Sequence, residues 1–267
     1  MALLAVVPAA GIGNRMQSSL PKQYLPLHGR TVLAHSLARL TSLSALKTVM
    51  VAVAAGDPWW PEVYSGLDDS GNGHIAERVA EEATSGVTRG ITRGAAGRVQ
   101  SCVGGHDRWQ SVLNALDALA QTASSSDWVL VHDAVRPCVR VADIERLLSA
   151  VQDAGASGGL LAMPVSDTIK RAGVDNSTGW SKVEATVDRQ RLWAACTPQM
   201  FRLGELRDCL RRAAAANVAL TDEASAMEWG GHAPLLVPCA RDNIKITFPA
   251  DLALAEFIIK SGVTTDP

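Results

Sequence analysis

Short runs of apolar residues recur along this chain without the polar interruptions of a half-exposed strand. Leu3–Pro8 (LLAVVP), Thr48–Val53 (TVMVAV), Trp128–His132 (WVLVH), Gly159–Val165 (GLLAMPV) and Leu235–Pro238 (LLVP) read as strands buried on both faces. Between them the spacing turns helical. Leu33, Leu37 and Leu40 form one stripe, Val112, Leu116 and Leu119 a second, and Ile144, Leu147, Leu148 and Val151 a third. Strand and helix alternating at this rhythm predict an α/β fold, with a mostly parallel sheet and helices on both faces. Ligands of such sheets sit beyond the carboxyl ends of the strands.

Two stretches break the rhythm. Residues 65–101 are rich in Gly, Ser and Thr, with one helical candidate carrying Ile75, Val79 and Ala83 on one face. A connection of that length is uncommon inside a compact domain and reads as an insertion. Residues 166–195 hold Gly173, Asn176, Gly179 and the segment KVEATV, with a period closer to strand than helix. They read as a projecting β-arm, and exposed strands on an arm call for a partner.

Composition narrows the class. The chain has 267 residues, 47% hydrophobic and 19% charged, which suffices for one large domain. A net charge of −2 offers neither a nucleic-acid scaffold nor a polybasic membrane anchor. Cys102, Cys138, Cys196, Cys209 and Cys239 are scattered, odd in number and without C-x-x-C or zinc spacing, so no disulfide framework is expected and a reducing cytoplasm is. The apolar opening Met1–Ala10 lacks a basic leader and runs into a glycine loop, so it reads as a buried strand rather than a signal peptide. No apolar stretch is long enough to cross a bilayer.

The candidate chemistry sits in loops that follow strands. Ala9-Ala10-Gly11-Ile12-Gly13-Asn14-Arg15 lets backbone N–H groups approach an anion, with Arg15 and Lys22 as cations downstream and Pro21 fixing the turn before Lys22. The third glycine of a dinucleotide fingerprint would fall at Met16 and is absent, as is the G-K-[S/T] of a Walker loop. A tight turn with surface cations is the plainer alternative. His132-Asp133-Ala134-Val135-Arg136 ends a buried strand, where Asp133 suits Mg²⁺, an ion held by one or two carboxylates and by substrate phosphates. A helix-capping Asp133 paired with Arg136 competes with that reading, and His132 reads as packed rather than catalytic. The Gly104-Gly105 loop and Ser111 can contact a base or ribose, or Ser111 can cap the following helix. Thr221 can offer a hydroxyl to phosphate, while Asp222 and Glu223 are explained as acids in a first helical turn. Asp242 and Lys245 flank one short segment, as a metal–phosphate site would have them or as a surface ion pair would.

The segments PAAGIGNRM, PKQYLPL, GGHDRWQSV, VHDAVRPC, PVSDTIK, TVDRQRLW, TPQMF, TDEASAME and DNIKITFPADLALAE occur in the order found in one family. In them the chain resembles the 2-C-methyl-D-erythritol 4-phosphate cytidylyltransferases of the non-mevalonate isoprenoid pathway. The resemblance implies a Rossmann-like nucleotidyltransferase fold with a β-arm exchanged across a homodimer. It implies that the polyol 4-phosphate attacks the α-phosphorus of CTP, releasing pyrophosphate. Arg15 and Lys22 would stabilise the transition state, and Asp133 would hold Mg²⁺. Ala9, Ala10, Gly11, Gly13, Gly105, Ser111 and Arg136 would contact CTP. Thr168, Arg189, Thr221, Asp242 and Lys245 would form the sugar-phosphate side, with Arg189 reaching the neighbouring subunit. His106 stands where the family often has an acid, and residues 65–101 are longer than typical. A ribitol 5-phosphate cytidylyltransferase is the nearest rival. An NAD-dependent oxidoreductase is disfavoured by the missing glycine and by the lack of an acid ending TVMVAV.

Overall fold

The computed structural model describes residues 1–11, 16, 19–67, 98–173 and 179–262. Four parallel pairings and two antiparallel ones, both made by a single strand, build its central sheet. In chain order the sheet strands are β1 (Leu3–Pro8), β4 (Leu46–Val53), β5 (Val99–Val103), β6 (Trp128–Val131), β7 (Gly158–Pro164), β10 (Trp193–Arg202) and β11 (Leu235–Pro238). Two small hairpins lie outside it, β2 (Pro26–Leu27) with β3 (Arg30–Thr31) and β8 (Ile169–Ala172) with β9 (Val183–Val187). The spatial order is β11-β7-β10-β6-β1-β4-β5, and β10 alone runs antiparallel to its neighbours β6 and β7.

The helical stripes cover both faces as the sequence predicts. On one face α1 (Val32–Thr41) buries Leu33, Leu37 and Leu40 beside alternate residues of β1 and β4, and α4 (Val141–Asp153) buries Ile144, Leu147 and Val151 beside β7, β10 and β11. The other face receives α3 (Arg108–Leu119), α5 (Leu203–Ala215) and α6 (Glu223–Trp229) through Val112, Leu116, Leu119, Leu206, Leu210 and Met227. Burying each of these larger apolar side chains contributes about 1.5–3 kcal/mol. A third cluster ties α7 (Pro249–Lys260) to Val135, Cys138 and Ile246, beside the loop that follows β6. The short α2 (Trp60–Ser65) packs Trp60 and Val63 on the first cluster.

Three sequence expectations need correction. Residues 99–101, assigned to the insertion, belong to β5, which pairs in parallel with β4 from Val49↔Val99 to Val53↔Val103. VQSCV is too short and too polar to announce a strand, and only the ladder with β4 defines it. The helical candidate around Ile75, Val79 and Ala83 lies outside the described residues. The arm is a real antiparallel hairpin, β8 with β9, but residues 193–195 already pair with β7 as the start of β10. The pattern of β10 conceals it, because Thr197, Pro198 and Gln199 interrupt WAACTPQMFR. Thirdly, β11 is not buried on both faces: it is the sheet edge, and Leu236 is 47% exposed.

Gly158 opens β7 where Phe201 and Met200 of β10 press on it. A methyl group there would overlap the Phe201 ring and the Met200 carbonyl, and neither backbone nor a buried ring can yield cheaply. Gly158→Ala is therefore expected to destabilise the fold by about 3 kcal/mol, read as a lower urea midpoint with an unchanged slope.

Candidate active site

The parallel ladder brings the carboxyl ends of β1, β4, β5 and β6 to one rim. Ala9 donates its N–H to the Ala52 carbonyl (2.7 Å) and Gly104 donates to Val53 (2.7 Å), so the two glycine-bearing loops are laid side by side. A side chain at Gly104 would meet Ala10 Cβ at 2.6 Å and Ser111 Oγ at 2.9 Å, and one at Gly105 would strike Gln110. Only glycine permits this approach. The two loops form the walls of a cavity of about 220 Å³, with Lys22, Arg108, Asp133 and Lys245 also facing it. A larger cavity, about 540 Å³, opens at the opposite end of the strands around Leu3, Trp128 and Arg202. Its Arg202 is stacked 3.6 Å over Trp128, and it lies at the wrong end of a parallel sheet for a ligand.

Asp133 is the centre of the rim. Its N–H donates to Thr197 Oγ1 (3.0 Å), and Thr197 in turn contacts His132 Nδ1 (3.1 Å). His132 Nε2 lies 3.1 Å from the Arg136 carbonyl. Burial pushes the imidazole down to about 4 against the pull of Asp133, so His132 is a neutral packing and hydrogen-bonding group, as its sequence position predicts. The Asp133 carboxylate is met by three cations. Arg108 Nη2 is 2.9 Å from Oδ1, Lys245 Nζ is 2.9 Å from Oδ2, and Arg136 Nε is 3.6 Å from Oδ2. Burial alone would raise its pKa; Arg108, Lys245 and Arg136 outweigh that and hold it well below the usual carboxylate range. Asp133 is ionised at any physiological pH.

Neighbouring segments fix these cations. Ile246 donates its N–H to the Val135 carbonyl (2.9 Å), which docks the Lys245 segment on the loop after β6. Lys22 stands in a 3-10 turn (Lys22–Tyr24) behind Pro21 and donates to the Ile246 carbonyl at 3.5 Å. Gln23, buried beside it, donates to the carbonyls of Ala9 (2.7 Å) and Gly11 (3.0 Å) and so pins the anion loop.

A divalent metal fits this donor set in one way. Among the described residues no group of three or more His, Cys, Asp or Glu is gathered, so no all-protein cage forms there. The ionised Asp133 carboxylate on the cavity wall instead suits an ion that draws its other ligands from water and phosphate, as Mg²⁺ does. The cations already on Asp133 would compensate the phosphates that arrive with it.

The structure gathers many, but not all, of the residues singled out in the sequence. Ala9, Ala10, Gly11, Lys22, Gly105, Ser111, Asp133 and Lys245 line one cavity. Gly13 and Arg15 lie outside the described residues. Arg136 is buried behind the wall, donating to the Asn243 carbonyl at 2.6 Å. Ser111 is no helix cap: Asp107 caps α3, with Gln110 completing the box, while Ser111 Oγ accepts the Gly105 N–H (3.0 Å) and braces the loop. Thr221 lines a second cavity of about 340 Å³ that shares Arg108 with the first. Asp242 lines neither cavity and is held by Arg140 at 2.6 Å, so the alternative pair of Asp242 with Lys245 does not form, Lys245 being paired with Asp133 instead. Thr168 and Arg189 are exposed on or beside the arm, where Arg189 donates to the Ser166 carbonyl, and neither lines a cavity of this chain among those described.

Three site residues escaped the sequence reading. Arg108 and Gln23 lay inside quoted segments, yet nothing in their spacing marks them as buried. Glu223 was explained as a first-turn acid, but it is 1% exposed and grips Arg108 through both oxygens, at 2.6 and 3.1 Å.

Comparison with known proteins agrees with this geometry. The family model described as IspD, 2-C-methyl-D-erythritol 4-phosphate cytidylyltransferase, matches residues 3–66 and 79–261. The internal gap in that match, residues 67–78, falls inside the 65–101 stretch. A protein of that name from Pseudomonas entomophila (strain L48) is 48% identical over 252 residues, covering 94% of this chain and 93% of its own length. One from Vibrio vulnificus (strain YJ016) is 46% identical over 257 residues, covering 96% and 94%. The crystal structure of the Francisella tularensis enzyme superposes with a TM-score of 0.73 at 30% identity, covering 97% of this chain and all of that one. With the family match spanning nearly the whole sequence and relatives this similar along their full length, the chain belongs to the 2-C-methyl-D-erythritol 4-phosphate cytidylyltransferase family.

Proposed function

We infer that this protein transfers the cytidylyl group of CTP to 2-C-methyl-D-erythritol 4-phosphate and releases pyrophosphate, a step of isoprenoid precursor synthesis. Family membership supports the reaction. The observation that carries it at the level of chemistry is the ring of Arg108, Arg136 and Lys245 around the ionised Asp133, with Lys22 on the same cavity. A triphosphate and a phosphate monoester must be brought together against their mutual repulsion, and fixed cations offset that.

In this reading the anion loop from Ala9 to Arg15 receives the triphosphate through its N–H groups, and the Gly105 loop with Ser111 borders the cytidine. Asp133 would hold Mg²⁺, which when bound neutralises phosphate charge and orients the reacting groups. Lys245 and Thr221 orient the polyol phosphate. An oxygen of that phosphate attacks the α-phosphorus, the bond to the bridging oxygen breaks, and the electron pair leaves with pyrophosphate. Lys22 and Arg15 oppose the charge that develops on the α-phosphate and the leaving group.

The arm belongs to the same proposal. β8 and β9 form an isolated two-stranded hairpin, with Trp180 and Val183 81% and 65% exposed, and such a ribbon has little stability alone. A second copy of the chain would cover it and bring Thr168 and Arg189 to the neighbouring cavity. We therefore propose a homodimer. A cytoplasmic location completes the reading, and among the described residues no helix is long and apolar enough to cross a membrane.

Three measurements test these assignments. Lys22→Ala should lower kcat by roughly a hundredfold or more while CTP still binds, because its work is on developing charge; unchanged turnover removes Lys22 from the mechanism. Arg189→Ala and Lys22→Ala subunits, each impaired alone, should regain activity when mixed, since one of the two sites in a mixed dimer is intact. No recovery rules out the shared site. Finally, with CTP and Mg²⁺ the protein should release pyrophosphate with methylerythritol phosphate in preference to ribitol 5-phosphate, and the reverse preference overturns the substrate assignment.

A further inference from the structure

Glu223 is the first residue of α6, yet the helix does not need it as a cap. Asp222 caps α6, accepting the Ser225 N–H at 2.9 Å, and the buried Gln199 of β10 holds both sides of the turn. Gln199 accepts the Ala224 N–H (2.7 Å) and donates to Asp222 (2.8 Å). What remains for Glu223 is Arg108. Its carboxylate takes two hydrogen bonds from the guanidinium, and the other edge of that rigid fork, Nε and Nη2, meets one oxygen of Asp133 at 3.0 and 2.9 Å. One planar cation thus spans two buried acids, from the turn after Thr221 to the end of β6.

We propose that Glu223 and Arg108 are positioning residues that set the Asp133 carboxylate for its divalent metal. The proposal rests on Asp133 as the metal ligand, argued above. Two physical effects follow from the geometry. The guanidinium plane fixes the direction of Oδ1, since a fork anchored on Glu223 cannot swing without breaking two charge-assisted hydrogen bonds. The negative charge of Glu223 also offsets the positive charge of Arg108. Asp133 faces three cations, and with Arg108 unopposed the rim would repel a further positive ion more strongly. Partners one shell out from a metal ligand act in this way at metal sites generally. A helix-stabilising acid would do neither.

The test titrates Mn²⁺ as the metal probe into protein saturated with CTP, without polyol phosphate, so that heat of binding is read with no turnover. Glu223→Gln should weaken Mn²⁺ binding by roughly tenfold or more. Glu223→Asp, which keeps the charge, should recover most of that loss. In steady state the same Gln variant should show a higher metal requirement while kcat at saturating metal stays within about threefold of the parent. Should Glu223→Gln fold poorly, Arg108→Lys is measured alike: it retains a cation but loses the fork, and the same weakening is expected. Asp133→Asn separates this inference from its foundation. If Asp133→Asn abolishes Mn²⁺ binding and Glu223→Gln leaves it within about twofold, the positioning role is overturned. If Asp133→Asn itself leaves Mn²⁺ affinity unchanged, the metal assignment falls, and the relay with it.

Discussion

Everything at this rim is organised around one costly object, a carboxylate ionised in a place that water hardly reaches. Asp133 is 6% exposed, and burial by itself would drive it to the neutral acid. Three cations from three separate segments reverse that outcome. Each is delivered by a different part of the fold: Arg108 by the start of α3, Arg136 by the loop after β6, and Lys245 by the segment that precedes α7. The pairs compensate one another only while all those segments are docked. Keeping this side chain ionised once it is buried therefore depends on three segments docking together.

The scaffold serves that arrangement with devices of short reach. Glycine at 104 and 105 lets two strand-end loops touch, and Gln23 ties down the loop after β1 by donating to the Ala9 and Gly11 carbonyls. Ser36 of α1 donates to the Ala134 carbonyl (2.9 Å), and Thr197 receives the Asp133 N–H. Inserting the antiparallel β10 between β6 and β7 is what brings Thr197 and Gln199 to the rim at all. A fully parallel sheet would have turned a carboxyl end toward the cavity at that position; here the chain enters from it instead, bearing polar side chains that brace Asp133 and α6.

The gain in positive charge near the cavity is local. The chain as a whole carries −2, and the acid Glu223 sits immediately behind Arg108. Positive charge is thus gathered at one cavity without making the protein basic elsewhere.

The sequence by itself determined the layering. Continuous apolar runs have nowhere to go but a two-sided sheet, and stripes such as Leu33-Leu37-Leu40 must face it, because burial of apolar area is local, additive and readable as periodicity. It also determined that Lys22, Asp133 and Lys245 belong to loops at strand ends. Tertiary structure alone decided the rest. Whether Ser111 caps a helix or braces a loop, whether Asp242 faces a cavity or Arg140, and whether Glu223 is a surface acid or a buried one are questions of pairing between residues far apart in sequence, up to 115 positions for Arg108 and Glu223. Periodicity carries no information about such pairs, since electrostatic and hydrogen-bond energies depend on distances that exist only once the chain has closed. The same reason hid β10, whose Thr197, Pro198 and Gln199 look like a loop until two neighbouring strands supply their partners.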